Sequence, residues 1–199
     1  GQILLERHDF TGAFAKFSDE IRVDPKRALA YYNRGIAARE LGLSAQALDD
    51  YTQAIRLGSE PAQAYENRGV VYQDLKRHDL ALADFNQVLA LAPRKASAYC
   101  NRGNTYKDLG HFDLALADMS QAIAIEGRDG RMYINRGNTF FAIRDFAHAA
   151  ADYERALNLP AHLTTAAVAG AYARLAMCRY QLQQFDQAWA AVARCRQLG

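Results

Sequence analysis

Four arginines recur at intervals of 34 residues, and an aspartate follows each of them 16 residues later. A guanidinium can bind a phosphate or form a two-pronged pair with a carboxylate. The arginines are Arg34, Arg68, Arg102 and Arg136, and the aspartates are Asp50, Asp84, Asp118 and Asp152. The corresponding residues near the C-terminus are Leu175 and Ala191, so both charges are lost together. We therefore predict structural Arg–Asp pairs, within a helical hairpin or between adjacent hairpins, rather than phosphate sites.

An asparagine precedes each of these arginines, at Asn33, Asn67, Asn101 and Asn135. Neighbouring residues lie about 100° apart around a helix, so the asparagine can face away from its arginine. A side-chain amide both donates and accepts hydrogen bonds, which suits it to the backbone of an extended peptide. The alternative interpretation is that each asparagine holds the backbone or a neighbouring loop.

The other reactive side chains form no recognisable catalytic or metal-binding pattern. The five histidines occur in or beside expected turns, and no nucleophile or metal ligand is fixed beside them by spacing. Cys100, Cys178 and Cys195 have neither disulfide nor zinc-ligand spacing, which favours structural thiols. We expect a protein that is not an enzyme and has no cofactor or metal.

Composition argues against two classes of partner. The 199 residues are 50% hydrophobic with a formal net charge of +2, whereas nucleic acids and anionic membranes demand clustered lysine and arginine. No apolar run approaches the roughly 20 residues of a membrane-spanning helix. We expect a soluble protein without membrane insertion that is cytoplasmic or periplasmic, and the sequence leaves open whether its N-terminus is missing here.

The elements that carry these side chains follow from the repeat. The pattern Tyr-x-Asn-Arg-Gly, first seen at residues 31–35, recurs three times at 34-residue intervals, and a period in this range predicts a solenoid. An alanine follows each glycine by twelve residues. A large residue comes four positions later, and a small or branched residue three positions after that, so the three share one helical face. Each repeat is therefore predicted to be two helices, in pairs near 28–41 with 45–58, 62–75 with 79–91, 96–109 with 113–126, and 130–143 with 147–158.

These positions resemble the tetratricopeptide repeat family, and the Asn-Arg-Gly signature resembles its bacterial members. The resemblance implies an all-α, right-handed α-solenoid of stacked antiparallel helix pairs that forms a single domain over residues 1–199. Residues 1–27 are a partial first repeat. Full repeats then cover 28–61, 62–95, 96–129 and 130–163, followed by an insertion at 164–168 and a last repeat at 169–199.

The resemblance also implies a function, that of a protein–protein interaction module acting as adaptor or scaffold. Its concave groove would be lined by the four repeated asparagines together with Asn104, Asn138, Arg131, Phe141, Arg174, Met177 and Tyr180. The alternative for Phe141, Met177 and Tyr180 is inter-repeat core. A family clamp for a terminal carboxylate is matched at three of five places, since Cys100 and Gly170 replace the two lysines, so Arg131 and Arg174 are left as candidates for an acidic group.

A second hypothesis of another class is self-assembly. Solenoids need polar caps, yet Trp189, Val192 and Leu198 are predicted to leave an apolar end face. Trp189 and Leu198 are the candidate assembly residues, and a homo-oligomer through the solenoid ends is the alternative to peptide binding.

Overall fold

The computed structural model describes residues 1–58, 61–159 and 163–198, and these ranges contain twelve helices and no strand. The predicted all-α class is confirmed. The chain divides into two compact units, an N-terminal unit, Gly1–Pro93, and a C-terminal unit, Arg94–Gly199. None of the helices within the described ranges combines the length and the apolar composition needed to cross a bilayer.

The N-terminal unit contains six helices. These are α1 (Gln2–Glu6), α2 (Phe10–Val23), α3 (Ala28–Glu40), α4 (Ser44–Arg56), α5 (Pro61–Asp74) and α6 (His78–Leu91). The two complete hairpins are α3 with α4 and α5 with α6, and the unit stacks because α2 packs on α3 and α4 packs on α5.

The C-terminal unit also contains six helices. These are α7 (Ala96–Asp108), α8 (Phe112–Ile125), α9 (Gly130–Ala142), α10 (Phe146–Leu157), α11 (Thr165–Gln181) and α12 (Phe185–Gln197). They form three hairpins in chain order, stacked through α8 on α9 and α10 on α11. In both units the ends of the predicted helices lie within two residues of the observed ends.

The interior of each hairpin follows the small–large–small pattern of its second helix. Ala47, Tyr51 and Ala54 of α4 are fully buried, and Ala81, Phe85 and Val88 of α6 repeat the arrangement. Glycine is needed opposite the large residue, because a Cβ on Gly35 would lie 2.8 Å from Tyr51 Cε1. The two helices therefore approach closely enough for the aromatic ring to pack directly on backbone.

A residue with positive φ joins the helices of every hairpin. Gly42 and Gly110 adopt this conformation, and so do four residues with side chains at the matching places, His8, Lys76, Arg144 and Gln183. The amide that follows bonds back to a carbonyl five residues earlier, as Arg77 N does to Tyr72 O at 2.8 Å. This bond satisfies a carbonyl at the end of the first helix. The same turn geometry therefore occurs in hairpins whose turn residue is not glycine.

The last hairpin begins with a longer helix. Residues 164–168, predicted as an insertion, provide the N-cap Thr164 and the first residues of the 17-residue α11. Thr164 Oγ1 accepts a hydrogen bond from Ala167 N at 3.2 Å, which starts the helix there. Pro160 and His162, at the end of the preceding repeat, lie outside the described residues.

Candidate functional site

Each of the four repeated arginines forms a two-pronged contact with its aspartate, and each pair joins the two helices of its own hairpin. In the first, Arg34 Nε donates to Asp50 Oδ2 at 2.9 Å and Arg34 Nη2 donates to Asp50 Oδ1 at 2.7 Å. The other three pairs have the same geometry, with every distance between 2.7 and 2.8 Å. Hydrogen bonding to the aspartate raises the pKa of each arginine, so these guanidiniums stay charged.

The remaining guanidinium nitrogen of Arg34, Arg68 and Arg136 reaches a hydroxyl of the preceding hairpin. Arg68 Nη1 donates to Thr52 Oγ1 at 2.9 Å, and Arg136 Nη1 donates to Ser120 Oγ at 3.1 Å. Tyrosine and phenylalanine rings lie beside the same arginines, for example Tyr65 at 5.4 Å from Arg68 Cζ. The arginines thus hold the second helix of their own hairpin, and in these cases a hydroxyl of the preceding one as well. At Arg68 three of the five N–H groups of the guanidinium are therefore engaged within the protein.

The last hairpin replaces this arrangement with a different one. Leu175 and Ala191, which stand where the arginine and aspartate would be, are both buried. Arg179, one turn after Leu175, instead donates from Nη2 to Glu154 Oε1 of the preceding hairpin. Glu154 stands at the position held by Ser120 one repeat earlier, so the link between hairpins is kept by different residues. Sequence spacing did not indicate this exchange.

In the N-terminal unit the two repeated asparagines have different environments. Asn33 is only 7% exposed. Asn67 is half-buried, donates from Nδ2 to Tyr32 Oη at 3.1 Å and accepts from Arg39 Nη1 at 3.3 Å. The Asn67 amide is thereby fixed across two successive first helices, α3 and α5.

In the C-terminal unit the equivalent contact joins an asparagine to a cysteine. Asn135 Nδ2 donates to Cys100 Sγ at 3.0 Å, and the two residues are separated by 35 positions, as Asn67 and Tyr32 are. Burial raises the pKa of the Cys100 thiol, which stays neutral and accepts the bond. Asn104 Oδ1 is buried without a partner beside this contact. Asn101 is half-buried on the same helix.

Two tyrosines at equivalent places differ in their hydrogen bonding. Tyr153 Oη donates to Asn138 Oδ1 at 2.8 Å. The equivalent Tyr51 Oη is buried without a partner, because Ile36 stands where Asn138 does in the later repeat. Burial raises the pKa of both phenols, so both remain protonated.

The remaining candidate groove residues separate into three environments. Arg131 is exposed and folds back on Asp129, with Nη2 to Oδ2 at 2.7 Å. Arg174 is also exposed and lies over the Phe141 ring at 5.6 Å, and that ring packs on the hydrophobic core of the unit. Met177 and Tyr180 are 55% and 62% exposed. The core alternative therefore fits Phe141 and is wrong for Met177 and Tyr180.

The three cysteines differ in exposure. Cys100 and Cys178 are buried and Cys195 is partly exposed, all three with free thiols. Burial raises the pKa of Cys178 to about 11, so it is a neutral thiol near pH 7. Among the described residues, no group of three His, Cys, Asp or Glu side chains is arranged to hold a metal ion.

Two family models, both described as tetratricopeptide repeat, match this sequence. One matches residues 60–126, and the other matches 1–49 and 100–162, which together exceed half of the chain. No curated protein matches the sequence.

Several solved structures share the fold. A tetratricopeptide repeat protein from Parabacteroides merdae has a TM-score of 0.76 at 21% identity, covering 100% of this chain and 76% of its own. BtubC from P. vanneervenii has a TM-score of 0.78 at 18% identity, covering 98% and 90%. YrrB, described as a TPR protein with an unusual peptide-binding site, has a TM-score of 0.65 at 21% identity, covering 79% and 81%. At these identities the likeness establishes the fold alone.

Proposed function

The chain belongs to the tetratricopeptide repeat family, and from that premise we propose that it is a non-catalytic protein–protein interaction module that binds an extended peptide segment of its partner. The binding surface in each unit is the face of the first helices that carries the repeated asparagine. In this role the protein acts as an adaptor or scaffold and uses no cofactor.

The observation that carries the proposal is the recurrent asparagine contact between successive first helices. Asn67 and Asn135 each donate to the side chain 35 residues earlier, at Tyr32 and Cys100. An amide has two N–H groups and two acceptor lone pairs, and each of these contacts uses one N–H. The contact fixes the orientation of the amide while it keeps hydrogen-bonding capacity for a peptide N–H or C=O. Such pre-organisation lowers the entropy lost on binding.

Neighbouring side chains differ between the units and supply the means of discrimination. Arg39 bonds to Glu40 and Asn67 in the N-terminal unit, which makes that surface charged and polar. In the C-terminal unit, Asn101 and Asn104 lie on α7 and Asn138 lies on α9, and the exposed Arg131 and Arg174 supply positive charge for an acidic peptide group. We therefore expect backbone binding by the asparagines and sequence preference from these flanking residues.

The test is a selection of 15-residue peptides from a random library on the chain, followed by affinity measurements with variants. Asn67→Ala and Asn135→Ala should each weaken a selected peptide about five- to thirtyfold, if it binds the corresponding unit, because a lost pair of hydrogen bonds is worth about 1–2 kcal/mol. Asn158→Ala is the matched control, because Asn158 is the exposed C-cap residue of α10, which is a second helix of its hairpin. Circular dichroism checks that each variant keeps its helices.

Two outcomes contradict the proposal. Peptides that bind all three variants with the same affinity would place the site elsewhere. The absence of any selected peptide, with the chain folded, would leave the asparagines as structural links between helices.

A further inference from the structure

The last hairpin presents an apolar surface that we call the α11/α12 face. It consists of Ala176, Met177 and Tyr180 of α11 with Phe185, Ala188, Trp189 and Val192 of α12, around a cavity of about 280 Å³. Trp189 is 68% exposed and Phe185 is 50% exposed. Aromatic residues and methionine exposed together are typical of protein-binding surfaces.

The same face one hairpin earlier shows what covers it. Phe141 and Phe146 lie 39 residues before Tyr180 and Phe185, and both ring pairs meet edge to face, at 5.6 and 5.5 Å. Ala150 and Tyr153 likewise correspond to Trp189 and Val192. All four earlier residues belong to the hydrophobic core of which α11 forms part. The equivalent of the exposed face is therefore buried beneath a helix.

The covering helix is α11, and its residues show which side chains suit this face. Three of its four buried residues are Ala171, Leu175 and Cys178, a small, an aliphatic and a small residue at spacings of four and three. This spacing puts them on one face of the helix. Arg174, beside them, lies over the Phe141 ring and so covers the edge of the contact.

A second observation concerns the side-chain hydrogen bonds that link the first helix of a hairpin to the preceding hairpin. The arginine helices α3, α5 and α9 are held by a hydroxyl of the preceding hairpin, from Ser18, Thr52 and Ser120. The corresponding residue of α12 is Ala193, which has no hydroxyl. A covering helix with arginine at the place of Leu175 would lose this hydrogen bond, and one with arginine at the place of Arg179 would lose the equivalent of the bond to Glu154, because the residue that corresponds to Glu154 in α12 is also Ala193. An aliphatic residue at either place, such as Leu175, loses none.

We propose that the α11/α12 face is a second docking site, for an amphipathic helix of a partner protein that presents small, aliphatic and small residues at positions i, i+4 and i+7. This site uses residues other than Asn67 and Asn135 and does not depend on peptide binding by the asparagines. The partner helix lies on the face as α11 lies on α9 and α10.

Trp189 makes the test specific, since it is the only tryptophan of the chain. The probe is a synthetic peptide of residues 165–181 with Cys178→Ala, stapled through positions 173 and 177, which are exposed in α11. Stapling is needed because a free helix of this length is marginal in water. The peptide lacks tryptophan, so a saturable shift of emission to shorter wavelength reports burial of Trp189.

Matched variants separate this site from unspecific binding. Met177→Glu in the protein should weaken the peptide at least tenfold, because docking would bury a carboxylate without a partner. Leu91→Glu, which places the same charge on a comparably exposed leucine of α6, should leave the affinity unchanged. A peptide carrying Leu175→Glu should produce no shift.

The result that overturns the proposal is an unshifted Trp189 at saturating peptide, or the same shift with the Leu175→Glu peptide. A concentration-dependent dimer, seen by light scattering without peptide and abolished by Met177→Glu, would instead assign the face to a second copy of the chain. Asn67→Ala and Asn135→Ala should retain the Trp189 shift, so failure of the peptide-binding proposal and failure of this one are distinguishable.

Discussion

At the scale of single residues, the repeated arginine and aspartate form the most regular polar contact in the protein. Their side chains are mostly buried, since Arg68 is 16% exposed and Asp84 is 6% exposed. Removing two charges from water is costly, and an ion pair of this kind adds little net stability over a well-packed apolar pair. The last hairpin provides such an apolar pair in Leu175 and Ala191. We infer that the ion pairs serve mainly to fix the helices in one register.

A double-mutant cycle at Arg68 and Asp84 tests the pairing. Each single alanine variant should lower the free energy of unfolding by about 2–4 kcal/mol, because it leaves the partner buried without its counter-charge. The double variant should cost less than the sum by about 1–3 kcal/mol. Urea unfolding followed by circular dichroism gives these values, and strictly additive costs would show that the two side chains act independently.

Removal of the hydroxyl should change the free energy of unfolding differently at the two equivalent tyrosines. Tyr153→Phe should lower the free energy of unfolding by about 1 kcal/mol, since it removes the hydrogen bond to Asn138. Tyr51→Phe should leave it unchanged or raise it by up to about 1 kcal/mol, because the Tyr51 hydroxyl is buried without a partner. Thermal unfolding of the two variants provides the comparison, and equal losses would mean that the Tyr51 hydroxyl is satisfied.

At the scale of the helices, the spacing between α5 and α6 depends on the glycine at position 69. A Cβ on Gly69 would lie 2.7 Å from Phe85 Cε1, inside the contact between α5 and α6. Gly170 lies within α11 with no heavy atom within 4 Å of such a Cβ. The same residue type therefore has a packing role in α5 and none in α11.

Alanine substitution should distinguish these two glycines. Gly69→Ala should lower the free energy of unfolding by about 1–3 kcal/mol through overpacking. Gly170→Ala should raise it by about 0.5–1 kcal/mol, because alanine is the better helix former and meets no neighbour. Chemical denaturation measures both, and a loss of stability in Gly170→Ala would indicate that α11 is more tightly surrounded there.

At the scale of the whole molecule, repetition makes stability a sum of local contributions. In repeat proteins each hairpin contacts mainly its neighbours, so a distant change has little effect on it. Here Gly69 lies in the unit Gly1–Pro93 and Tyr153 lies in the unit Arg94–Gly199. Changes at these two sites should therefore be energetically independent.

Combining Gly69→Ala with Tyr153→Phe should give additive losses, within about 0.5 kcal/mol. Gly137→Ala with Tyr153→Phe is the contrasting pair, because a Cβ on Gly137 would lie 3.0 Å from the Tyr153 ring. That pair shares a contact and should deviate from additivity. Equal coupling in both pairs, measured by urea unfolding, would contradict the local description.

The amino-acid sequence by itself determined the helices and their pairing in hairpins. A 34-residue period, alanines at fixed places and an aromatic residue between them set the phase of each helix face, and that phase is a local property. The joint loss of charge at Leu175 and Ala191 similarly indicated which arginines and aspartates belong together. Such covariation within one chain predicts partners without any knowledge of their distances.

Only the tertiary structure decided how the candidate binding residues are used. Asn33 is buried, whereas the equivalent Asn67 bonds to Tyr32, and Arg179 bonds to Glu154. These differences could not be predicted because they depend on how one hairpin lies on the preceding one. The exposure of Met177 and Tyr180 has the same origin, since their equivalents Asn138 and Phe141 have different surroundings beneath α11. Periodicity fixes which way a side chain points on its own helix, but the neighbours that it meets are set by the packing of residues some 25 to 35 positions away.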